Sequence, residues 1–99
     1  MNERVLRLED FQGLVGTGFT VVADGIVLPE LTLVEATALS TYGAEVSRPP
    51  FSLVFEMPGE QRLNQGLVSL RNESLGEAEI FLVPMAKTAG GIRYAATFG

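Results

Sequence analysis

The sequence contains no cysteine, no histidine and no tryptophan, and its only lysine is Lys87. Without cysteine there is no disulfide frame, no thiolate metal site and no thiol nucleophile. Without histidine the commonest general base and metal ligand is missing. No apolar run approaches the roughly 20 residues that a membrane span needs. Charges at Glu3, Arg4, Arg7, Glu9 and Asp10 interrupt the start, where a secretory signal would be apolar. A cytoplasmic protein is therefore expected. Positive charge is scarce as well: Lys+Arg 7 stand against Asp+Glu 12, a formal net charge of −5. The cations are dispersed, and the close pair Arg4/Arg7 is flanked by Glu3, Glu9 and Asp10. Phosphate backbones and anionic membranes bind clustered cations, so neither is an expected partner.

Apolar residues are plentiful. Leu, Val, Ile and Phe make up 32 of the 99 residues, well above the roughly 20% below which chains tend to stay disordered. The length suits one core, so residues 1–99 are read as a single domain. Helical spacing is confined to the start, where Leu8, Phe11, Leu14 and Val15 share one face. Glu9 and Asp10 suit the first turn of such a helix, and Gly16 suits its stop. Two turns do not stand alone, so the helix must lie on something.

Beyond Gly16 the period becomes two. Phe19–Ala23 leads into an Asp24-Gly25 turn and then a long strand, Ile26–Leu39, interrupted by Pro29. In that strand the apolar parity slips from Leu31 and Leu33 to Val34, Ala36 and Ala38, which implies a bulge near Leu33–Val34. Thr41–Pro50 reads as a loop. Strands follow at Phe51–Met57, Leu67–Arg71, Glu77–Met85 and Ile92–Phe98, separated by Pro58-Gly59, by Asn72–Gly76 and by a loop over Ala86–Gly91. The expected fold is mainly β: a small antiparallel barrel or sandwich of about six strands with one short N-terminal helix. Its core should hold Phe51, Leu53, Phe55, Val68, Leu70, Ile80, Leu82, Tyr94 and Phe98. Glu77–Met85 becomes apolar on both faces toward its end, so the helix is expected either to cap one end or to cover Phe81 and Val83.

Several blocks carry a resemblance. Leu8-Glu9-Asp10-Phe11, Leu14-Val15-Gly16-Thr17, Arg48-Pro49-Pro50-Phe51-Ser52-Leu53, Leu75-Gly76, Ile80-Phe81-Leu82-Val83-Pro84, Arg93-Tyr94 and Phe98 span nearly the whole chain. In order and spacing this pattern resembles an uncharacterised bacterial family of small all-β proteins, known only as a domain of unknown function. The resemblance implies no cofactor and no catalytic residue. It implies a structural or accessory role beside phage-tail-like or tail-collar proteins. The chain departs from the family pattern at Asn64, where proline is usual, at Val68, where tyrosine is common, and at Asn72, near where histidine often stands. A polar function resting on that tyrosine or histidine would be lost here.

The residues themselves point away from catalysis. Ser40, Ser47, Ser52, Ser69 and Ser74 have no Gly-x-Ser-x-Gly elbow and no histidine to activate them. Glu77/Glu79 and Glu9/Asp10 could pair for acid–base work, but they read more simply as a solvated strand face and a helix start. Glycines 13, 16 and 18 match neither a dinucleotide nor a P-loop pattern, and Asp24, Glu30 and Glu35 form no calcium loop. No enzyme, metal or cofactor is expected. The leading expectation is a non-catalytic module binding a protein partner or a second copy of itself. Its candidate contacts are Arg48, Pro49 and Pro50 in the loop and Arg93, Ala95 and Thr97 on a last strand taken as an open edge, with Pro29, Glu77 and Glu79 marking a guarded one. The alternative is a small barrel binding an apolar ligand among Phe51, Phe55, Leu82, Tyr94 and Phe98.

Overall fold

The computed structural model describes residues 6–22, 29–39, 50–59 and 64–98. The Asp24-Gly25 turn and all of the 41–50 loop except Pro50 lie outside them, Arg48 and Pro49 included. A helix α1 (Leu8–Gln12) precedes six strands: β1 (Gly18–Val21), β2 (Leu31–Ala38), β3 (Phe51–Met57), β4 (Gly66–Asn72), β5 (Gly76–Thr88) and β6 (Gly91–Phe98). Neighbouring strands are antiparallel throughout, and they close into a ring in the order β1-β2-β3-β6-β5-β4. The mainly β fold expected from the alternation is the one found.

Two strands turn the ring. β1 pairs with β2 through Gly18 and Phe19 and with β4 through Thr20 and Val21. β5 pairs with β4 over Gly76–Leu82 and with β6 over Val83–Thr88. Two bulges adjust the register. Leu33 opposes Phe55 and Glu35 opposes Val54, so Val34 is the extra residue where the sequence parity slips. The second bulge was not foreseen: Pro84 opposes Tyr94 and Ala86 opposes Arg93, leaving Met85 over. A bulge tolerates the missing proline donor. β5 therefore runs through the expected 86–91 loop to Thr88, and only Ala89 and Gly90 turn the chain. Gly91 has φ 142°, and a Cβ there would collide with the Met57 carbonyl, so the β6 start tolerates no side chain.

Alternation sends one face of every strand inward. Phe19, Leu31, Leu33, Phe51, Leu53, Phe55, Met57, Leu70, Ile80, Leu82 and Tyr94 are essentially without exposure. Val68 and Phe98, expected in the core, are partly buried and pack against it. Phe19 meets Phe55 edge-on, with ring centroids 5.2 Å apart. At one end Phe51 and Phe98 stack at 4.6 Å, and Phe11 of α1 lies on both, at 5.9 and 6.1 Å. The helix thus caps an end of the ring. Asp10 shapes its first turn, its carboxylate accepting the Arg7 N–H at 2.9 Å. Of the expected helical face only Phe11 is fully buried; the helix stops at Gln12 and Val15 is exposed.

Candidate functional site

The outward residues of the same strands include a row of apolar side chains. Val54 on β3 opposes Ala95 on β6, and Ala95 opposes Val83 on β5. Two residues back along β5, Phe81 opposes Leu67 on β4. Directly opposed residues share a sheet face, as do residues two apart. Val54, Ala95, Val83, Phe81 and Leu67 therefore run side by side across four strands. Leu67 is 63% exposed, Phe81 49% and Val83 37%, while Met85 farther along β5 is exposed as well. Covering such surface returns about 25 cal/mol per Å². Of the two places expected for α1, the end of the ring is the one found, and Phe81 and Val83 are left uncovered by it. The helix has one large buried ring, and Phe11 is committed to Phe51 and Phe98 at the ring's end.

Charges border this row. Glu35 on β2 opposes Val54, and Glu79 on β5 stands two residues before Phe81. Both are exposed, and neither has an ion pair among the described residues. The two cations of the same face are already matched. Arg71 lies 3.6 Å from Glu77. Arg93 Nε lies 3.5 Å from a Glu56 carboxylate oxygen that also accepts the Thr88 hydroxyl at 2.6 Å.

The candidate contacts of the sequence divide. Pro50 is half-buried, and its carbonyl accepts the Leu39 N–H at 3.0 Å, tying the ends of β2 and β3. Arg93, Ala95 and Thr97 share the outer face of β6, with Ala95 at the centre of the apolar row. The open-edge reading of Ile92–Phe98 is wrong. β6 pairs with β3 along Ile92–Phe98 and with β5 over Gly91–Ala95, because ring closure puts the last strand in the interior of the order. Leu67 was not foreseen as an outward contact, although its place before inward Val68 carried the signal. Only the hairpin register sets it beside Phe81.

A second feature surrounds Asn72, the buried polar side chain of the described residues. Its amide nitrogen donates to Thr17 Oγ1 at 3.1 Å and to the Gly18 carbonyl at 3.0 Å. Its amide oxygen accepts the N–H groups of Ser74 and Leu75 at 2.8 and 3.0 Å. One side chain thus shapes the β4–β5 turn and ties it to β1. Beside it lies a polar groove of about 730 Å³ bordered by Thr20, Glu30, Arg71, Glu73, Ser74 and Glu77. Among the described residues no group of three or more acidic side chains is arranged to hold a metal ion. The residues offered as a ligand lining belong to the packed core: Phe51 stacks on Phe98, which packs against the core, and Phe55, Leu82 and Tyr94 are fully buried in it. No helix of the described residues is long and apolar enough to cross a membrane.

Compared with known proteins, residues 6–98 match the model of a family described as a domain of unknown function, DUF6916. No curated protein and no solved structure matches.

Proposed function

The chain belongs to this DUF6916 family, and from that premise we propose that it is a non-catalytic protein-interaction module that docks through the outer face of its ring. The observation that carries the proposal is the row Leu67, Phe81, Val83, Ala95 and Val54, laid across four strands by the register, with Leu67, Phe81 and Val83 exposed and Ala95 and Val54 half-buried. Contiguous apolar surface on a small protein marks interaction sites more often than isolated exposed residues do. The sequence supports the non-catalytic half: there is no histidine or cysteine to activate a serine. The family resemblance adds the setting, an accessory of a phage-tail-like assembly in a bacterium.

The double variant Leu67→Ser/Phe81→Ser tests the reading. It should keep the circular dichroism and melting temperature of the parent and lose its complex in affinity capture from source-organism lysate, followed by sedimentation of the recovered complex. A parent chain that stays monomeric and retains nothing, or a double variant that retains the same complex, sinks the proposal.

A further inference from the structure

Resting on the reading of the row as a docking face, we propose that its occupant is a different protein, one presenting an apolar centre rimmed by lysine or arginine, and not a second copy of this chain. The argument is one of charge placement. Glu35 stands directly beside Val54 at one end of the row, and Glu79 stands next to the Phe81/Leu67 pair at the other. Arg71 and Arg93, the cations of that face, are each engaged by a carboxylate, Glu77 and Glu56. Lys87, exposed farther along β5, opposes the inward Ile92 and not the outward Arg93, so it alternates off this face. The face therefore offers two exposed carboxylates, with Arg71 and Arg93 both matched. A homodimer contact is isologous, so a two-fold axis through Ala95 and Val83 would lay the row reversed upon itself. Glu35 of one copy would then meet the Leu67/Glu79 end of the other, twice over by symmetry. Like charges across an interface suppress a pairing, and the net charge of −5 opposes it further. A partner with cations at the rim meets both carboxylates favourably. Ala95, the smallest member of the row, leaves a low point between Val54 and Val83 for a larger apolar side chain of the partner.

The test uses the intact chain and two synthetic helix-forming peptides. One is built of leucine, phenylalanine and lysine; the other is the same with every lysine replaced by glutamate. Backbone amide resonances of Leu67, Phe81, Val83 and Ala95 should shift with the lysine peptide. That peptide should bind at least tenfold more tightly than the glutamate peptide, weaken as salt is added, and lose most of its advantage in Glu35→Gln/Glu79→Gln. Equal binding of both peptides at the row would overturn the charge inference while leaving the docking face standing. Row resonances that broaden with chain concentration, with a dimer in sedimentation velocity, would overturn the choice of a different protein. Shifts outside the row only, unaltered in Leu67→Ser/Phe81→Ser, would overturn the docking face itself.

Discussion

Two aromatic surfaces of this protein had an equal claim on the short helix α1. At the end of the ring, Phe51 and Phe98 stack and are capped by Phe11. On the outer face, Phe81 lies beside Leu67 and is bare. The sequence shows an apolar excess at both. The difference is geometric. A closing ring leaves an open end that one inserted side chain can fill, whereas a row across four strands is too broad for a five-residue helix. Apolar residues left over after the core and its cap are satisfied become surface, and surface of that kind is available to another molecule.

The sharpest way to break the comparison is Phe11→Ala. If the cap contributes as its burial implies, the loss is about 3–5 kcal/mol in denaturant unfolding, and a loss near zero would mean the ring end needs no cover. Leu82→Ala, in the core itself, should cost about 2–5 kcal/mol, read the same way. Asn72→Ala belongs to neither surface. It strands the Ser74 and Leu75 N–H groups and should cost about 1–3 kcal/mol, seen as a lower midpoint with an unchanged denaturant slope. The smallest effect is expected at the bare row: Phe81→Ser should change stability by no more than about 0.5 kcal/mol. A cost there matching that of Phe11→Ala would show that the row is covered after all.

β3 is legible from sequence to the residue, because strict alternation over 51–57 is bounded by Pro50 before and Pro58-Gly59 after. The bulge at Val34 is legible for a similar reason, since a parity slip has no other cheap outcome in a half-buried strand. The far part of β5 is not. The paired glycines Gly90-Gly91 argue for a loop from Ala86 onward, and only the pairing of Ala86 with Arg93 shows that the strand continues. A barrel was one of the two expected architectures, but the strands that close it were hidden, because nothing local in Thr20 or Val21 names Arg71 or Leu70 as partners. The candidate face was half visible: Phe81 and Val83 declare themselves by making both faces of their strand apolar. Leu67 enters only through a register set by the turn after Asn72.

The closure of the ring through β1 also sets an order of events in time. β4, β5 and β6 are successive hairpins and can form early, from contacts close in sequence. The seam between β1 and β4 joins Thr20 to Arg71 and Val21 to Leu70, and Asn72 pins it by reaching 54 residues back to the Gly18 carbonyl. So long a loop closes late, after the hairpins have paired. Asn72→Asp, which keeps an oxygen for the β4–β5 turn and removes the amide nitrogen that reaches Gly18, should therefore leave the folding rate nearly untouched and quicken unfolding, the signature of a contact absent from the transition state. In amide exchange the same seam would be first to open, with Thr20 and Val21 trading protons sooner than Phe55 or Tyr94.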